Sequence, residues 1–145
     1  MIWRPLLLCV IALGLAGCGG DPDEAALRER IDALQVAGEA GEIGTLMDAI
    51  ADDFTGRGGS YDRLQLRAML TALTRRHQDI GVTRLNTSVE MRGAHASATL
   101  QLLLTGGSGG LLPEQGRAME LRTRWRVDGG EWMLIEADWS GDFGY

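Results

Sequence analysis

Lysine is missing from this chain. All 14 basic residues are arginines, set against 20 aspartates and glutamates, and the formal net charge is −6. An acidic balance of that kind argues against nucleic acid as a partner; the arginine-only usage reads as codon bias before it reads as chemistry. Cysteine and histidine are also scarce, with Cys9, Cys18, His77 and His95 the full set. Their spacing supports no zinc site, and neither a disulfide framework nor another metal centre is expected. There is no Gly-x-Ser-x-Gly elbow and no phosphate-binding glycine loop ahead of a helix, so no cofactor is expected. No internal repeat is visible. The one sustained apolar run, residues 6–15, is about half of the ~20 residues that a bilayer core requires, which excludes a span.

What stands at the amino terminus is the order of a secretory signal: Arg4, the apolar run, then Leu15-Ala16-Gly17-Cys18. These four residues resemble a bacterial lipobox. The resemblance implies cleavage of residues 1–17, lipidation of Cys18, and a membrane anchor through that residue. An ordinary cleavable signal would leave an unpaired thiol in an oxidising compartment, an oddity that acylation removes. Two or three acyl chains hold a protein at a bilayer for practical purposes permanently, at roughly 0.8 kcal/mol per buried methylene. Gly19 after the cysteine, rather than an aspartate, points by analogy to the outer membrane, with the protein facing the periplasm. Removal of 17 residues from 145 leaves 128, enough for one core, and one arginine and no acid depart, so the mature formal charge becomes −7.

After a tether over residues 18–22, a domain is expected over 23–145. Asp21-Pro22-Asp23-Glu24 predicts a helix start with Asp21 as N-cap, and Leu27, Ile31 and Leu34 carry the helix to Ala37, where Gly38 stops it. A second helix is expected over 41–54 from Ile43, Leu46, Met47, Ile50 and Phe54. A third opens at Asp62, with Gln65 closing a capping box and Arg75 and Arg76 at the end that favours positive charge.

From Ile80 the period becomes two. A hairpin turned at Arg92-Gly93 sets Leu85, Thr87, Val89 and Met91 with Ala94, Ala96, Ala98 and Leu100 on a dry face, and Arg84, Asn86, Ser88 and Glu90 on a wet one, with His95 opposite Glu90. Residues 105–116 read as a glycine-rich linker carrying Leu111 and Leu112, candidate lid residues over a pocket mouth. A second hairpin, turned at Asp128-Gly129-Gly130, puts Trp125, Trp132, Leu134, Glu136 and Asp138 on the core side. Arg122, Arg124 and Arg126, with Met133, Ile135 and Trp139, then share the other side, a face suited to pairing two copies of the chain.

Three helices followed by a curved antiparallel sheet make an α+β arrangement. The exit from the second helix, Ala51-Asp52-Asp53-Phe54-Thr55-Gly56, and the closing hairpin from Trp125 to Ile135 resemble the nuclear transport factor 2-like superfamily, which includes ketosteroid isomerase and polyketide-cyclase-like proteins. The resemblance implies a cone whose helices and sheet enclose a pocket, often in sheet-paired dimers, and implies no particular reaction. Tyr61, Asp62 and Asp53 match no isomerase or dehydratase site of that superfamily residue by residue. The leading reading is therefore an envelope lipoprotein that binds a small apolar ligand or an envelope partner without turnover, with Trp125, Trp132, Leu111 and Leu112 as pocket or lid residues. The rival readings are an isomerase, dehydratase or cyclase using His77, Glu136 and Asp138 as acid/base groups, and a dimerising module using the arginine face.

Overall fold

The computed structural model describes residues 22–76, 80–106 and 117–140. Helix α1 (Glu24–Glu39) is capped by Asp23, whose carboxylate accepts from the Ala26 N–H at 3.0 Å. The cap thus falls two residues later than expected, and the expected one, Asp21, lies outside the described residues. The helix also passes Gly38; the chain turns at Gly41, whose φ of 69° an L side chain rarely adopts.

Helix α2 (Ile43–Asp48) is much shorter than the helix expected over 41–54, because other donors take the carbonyls that would have extended it. The Arg63 guanidinium donates to Met47 O at 3.0 Å and to Ile50 O at 3.1 Å, and the Leu134 N–H donates to Ala49 O at 2.8 Å. Residues 50–56 instead form β1 (Ile50–Gly56) along β6 (Glu131–Trp139). The pairing is irregular: Ile50 lies opposite Leu134 and Thr55 opposite Glu136, so five steps of one strand span two of the other. That distortion buries Ile50, Ala51 and Phe54 together, a spacing that imitates one face of a helix.

A 3₁₀ turn (Arg57–Gly59) and the two-residue β2 (Tyr61–Asp62) lead into α3 (Arg63–Arg76). The expected capping box is present: Asp62 Oδ1 accepts from the Gln65 N–H at 2.7 Å, and Gln65 Oε1 from the Asp62 N–H at 2.8 Å. The remaining strands are β3 (Ile80–Arg92), β4 (His95–Gly106) and β5 (Arg117–Asp128). With β6 they complete a six-stranded sheet in the order β2-β1-β6-β5-β4-β3. It is mixed rather than wholly antiparallel, since β1 runs parallel to β6.

Both hairpins turn where two residues suffice. Arg92 pairs with His95 around Gly93-Ala94, two positions from the expected register, and parity keeps Val89, Met91, Ala96, Ala98 and Leu100 on the helix-facing side. His95 accordingly faces Arg92 and not Glu90. Gly129 and Gly130, at φ 60° and 80°, turn β5 into β6 with Val127 opposite Trp132. Each hairpin then holds one extra residue. Leu85 is unpaired between Arg84↔Leu102 and Asn86↔Gln101, and Ile135 between Trp125↔Leu134 and Arg124↔Glu136. Beyond each bulge the two faces exchange.

The helices cover one face of this sheet. Leu27 and Ile31 pack on Ala96, Ala98, Leu100, Leu102, Trp125 and Trp132; the small alanines let α1 lie close. Met47, Phe54, Leu66, Ala137 and Trp139 form a second cluster nearer β1. Trp132 Nε1 donates to Asp23 O at 3.1 Å and ties the start of α1 to the sheet. Gln35 Nε2 donates to Val82 O at 2.8 Å, occupying a carbonyl of the edge strand β3.

Removing the Arg63 guanidinium leaves two half-buried carbonyls without their donor. Arg63→Met should therefore lower unfolding free energy by about 1–3 kcal/mol in a urea titration, whereas the exposed Arg67→Met should change it by less than about 0.5 kcal/mol.

Candidate functional site

Between the three helices and the sheet lies a cavity of about 240 Å³. Helix α1 contributes Ile31, Leu34 and Gln35, α2 Leu46, and α3 Leu66, Met69 and Leu70. The sheet contributes Leu100, Leu102, Leu121, Trp125 and Trp139 among others. An apolar cavity of roughly 150 Å³ stays dry and accepts a benzene ring, so this chamber has room for one substituted ring or a short hydrocarbon chain.

Among the described residues, three polar side chains reach its wall: Gln35, Arg84 and Thr123. Two are committed to the fold. Thr123 Oγ1 donates to Ala98 O and accepts from Trp125 Nε1, both at 2.8 Å, which holds the Trp125 ring against the chamber. Gln35 Nε2 is shared between Val82 O and Glu39 Oε1. Arg84 is the third, and its guanidinium bonds the Asp32 carboxylate of α1. Arg84 also borders a second, polar recess of about 340 Å³, formed with Arg28, Asp32, Leu85, Asn86 and Thr87 between α1 and β3.

The residues singled out from the sequence are scattered. Trp125 lines the chamber. Trp132 is buried but sits in the packing beneath α1 rather than in the chamber wall. Glu136 and Asp138 do not face the core, because the bulge at Ile135 carries both to the opposite side of β6. There Glu136 accepts from Arg124 Nη1 at 3.0 Å, and Asp138 Oδ1 accepts from the Gly58 N–H at 2.8 Å. By the same exchange Trp139, expected on the arginine face, enters the chamber wall and meets Tyr61 with ring centroids 5.5 Å apart. Cys18, His77, Leu111 and Leu112 lie outside the described residues.

Sequence reasoning missed Arg84, placed on the wet face by strict alternation. Nothing in the residue types at 84 and 85 signals the bulge. The bulge at Ile135 did leave a trace. Only with the faces exchanged do Glu136 and Asp138 stand opposite Arg124 and Arg122, and Ala137 and Trp139 opposite Thr123 and Leu121.

On the outer face the arginines carry partners. Arg122 Nε donates to Glu120 Oε1 at 2.7 Å, and Arg126 grips Asp53 of β1 and Asp128 of the turn. The hydrogen bonds from Arg126 hold the Asp53 and Asp128 carboxyls below the ordinary aspartate value of 3.8, and the same bonds raise Arg126. Among the described residues no group of three or more His, Cys, Asp or Glu side chains is arranged to hold a metal ion.

No protein-family model matches the sequence, and no curated protein does. Solved structures do match. A nuclear transport factor 2-like protein of unknown function from Pseudomonas putida is 19% identical, with a TM-score of 0.73 over 86% of this chain and 91% of that one. The chain has the nuclear transport factor 2-like fold. A candidate dehydratase of that family from Streptomyces avermitilis superposes with a TM-score of 0.70 at 16% identity, over 83% and 96% of the two chains. A candidate scytalone dehydratase from Novosphingobium aromaticivorans gives 0.71 at 10% identity, over 79% and 80%. Within this fold, the chamber described above occupies the space between helices and sheet.

The Arg126 cluster sets a pH dependence. Because Asp53 and Asp128 titrate lower in the folded chain than in the unfolded one, their contribution is present above the ordinary aspartate value and is lost as pH falls through the depressed values. In a carbon-detected NMR titration both carboxyls should titrate below ordinary aspartates, and Arg126→Leu should return both toward 3.8.

Proposed function

We propose that this protein is an envelope lipoprotein, anchored through acylated Cys18, whose nuclear transport factor 2-like domain binds a small apolar ligand without turnover. The observation that carries the binding half is the chamber itself: about 240 Å³, walled mainly by aliphatic side chains, Trp125 and Trp139, with few polar side chains among the described residues. The wall residues also favour binding over the isomerase or dehydratase reading suggested by the names of some structural neighbours. A proton-shuttling enzyme needs a titratable group within hydrogen-bond reach of its substrate. Among the described residues the wall offers Arg84 as its ionisable side chain, and Glu136 and Asp138 stand on the other side of the sheet.

The anchoring half rests on the order of Arg4, the apolar run and Leu15-Ala16-Gly17-Cys18. It gives the ligand reading a setting: a tethered chamber facing the periplasm meets apolar molecules close to the bilayer that supplies or receives them.

Two measurements test the two halves separately. Toluene or naphthalene titrated into the protein should change the fluorescence of Trp125 and Trp139 saturably and raise the melting temperature. Met69→Trp, which puts a larger ring into the chamber from α3, should abolish the saturable change while the chain stays folded. Absence of saturation at the solubility limit of both probes would remove the binding half. Labelled palmitate should enter the wild-type chain in a bacterial host and not the Cys18→Ala variant; equal labelling of the two would remove the anchor.

A further inference from the structure

The bulge at Leu85 works against hydrophobic burial. Without the extra residue, alternation would turn Leu85 to the core and Arg84 to solvent, the arrangement that its neighbours Val89 and Met91 follow. With it, Leu85 is 62% exposed and the Arg84 side chain only 26% exposed, at the edge of an aliphatic chamber with its guanidinium on Asp32. Exposing a leucine to turn a charge inward destabilises the fold locally. Bulges that re-aim a side chain in this way recur beside binding sites.

The placement is specific. Arg84 borders both the apolar chamber and the polar recess of Arg28, Asp32, Asn86 and Thr87, so it stands where an aliphatic space meets a wet one. The recess holds two arginines and one aspartate, with Arg28 also paired to Glu24 at 3.0 Å. The bond from Arg84 to Asp32 uses part of a guanidinium that carries five donors in a planar fork. The other polar wall groups, Thr123 and the Gln35 amide nitrogen, are engaged within the protein.

We infer that the chamber takes an amphipathic monocarboxylate of about one ring, with its apolar body among Leu34, Leu100, Leu121 and Trp125 and its carboxylate on Arg84, where it competes with Asp32. A guanidinium is matched to a carboxylate in shape as well as charge, and its partly desolvated position strengthens the bond. Asp32 acts as the resting counter-ion: it keeps Arg84 paired when the chamber is empty and gives way when a ligand carboxylate arrives. This inference rests on the chamber being a binding site and adds which head group it selects.

The test uses the full-length chain and two matched probes, 3-phenylpropionate and its uncharged counterpart 3-phenylpropanol, followed at pH 7 by tryptophan fluorescence and by the indole N–H signals of Trp125 and Trp139. The carboxylate should bind at least about tenfold more tightly than the alcohol, the factor expected of one charge-assisted hydrogen bond. Arg84→Met should remove that preference, the two affinities falling within about threefold of each other, while the indole N–H signals of Trp125 and Trp139 in the ligand-free variant keep their wild-type positions, which shows that the chamber is intact. Asp32→Asn, which removes the competitor, should tighten carboxylate binding severalfold, and a gain cannot come from a damaged fold. Equal affinity for the two probes in the wild type, a preference that survives Arg84→Met, or looser carboxylate binding by Asp32→Asn overturns the inference and leaves apolar binding standing. Failure of both probes to bind the wild type overturns the chamber as a ligand site as well.

Discussion

Side chains along a β-strand alternate, so one extra residue exchanges the faces of everything beyond it. The architecture of this chain depends on that exchange happening once in each hairpin, at Leu85 and at Ile135. The second bulge decides the core. It turns Ala137 and Trp139 toward the helices, where Trp139 closes the cluster of Met47, Phe54 and Leu66, and sends Glu136 and Asp138 to the arginines outside. Were the strand regular, two carboxylates would enter an apolar interior and a tryptophan would leave it. Burial of an unpaired carboxylate costs more than the loss of one ladder pairing, so the bulged arrangement wins.

The same exchange joins the two ends of the molecule. With Glu136 turned outward, β6 presents to β1 an edge on which Thr55 and Gly56 pair in parallel, and β1 then seats Phe54 against the core. Gly56 permits the close approach, since a side chain there would meet the Phe54 ring at 3.2 Å and Trp139 at 3.3 Å. Arg63, at the start of α3, collects the carbonyls left over where α2 gives way to β1. Helix α1 packs on the alanines of β4, α2 and α3 pack through Met47 and Leu66 on β1 and β6, and the chamber lies between these two clusters and the sheet.

Charge is distributed by the same rule. Outside, arginines and acids neutralise one another between strands, Arg124 with Glu136 on the neighbouring β6 and Arg126 with Asp53 across β6 on β1. Such exposed pairs contribute modestly to stability. On the helix side Arg84 is the charge at the chamber wall among the described residues, and the Asp32 carboxylate of α1 holds it. That contrast marks the rim as the place where this domain's chemistry differs from plain packing.

Much of this was legible in the residues themselves. The sequence by itself determined the α+β class, the amphipathic faces of α1 and α3, the Asp62–Gln65 capping box, the turns at Gly93 and at Gly129-Gly130, and the helix-facing side of β3 and β4 near their turn. These depend on neighbours within a few positions, and local periodicity and turn chemistry record such neighbours directly. Contacts between distant segments settled that residues 50–56 form a strand rather than the end of a helix, that the sheet is mixed, that Glu136 and Asp138 leave the core side, and that Arg84 turns to the edge of the chamber. Each of these depends on which distant group takes a freed carbonyl or on where one residue too many is accommodated. That choice is made between segments, by the cost of burying one charge against the cost of exposing one leucine, and no window of adjacent residues contains both sides of it.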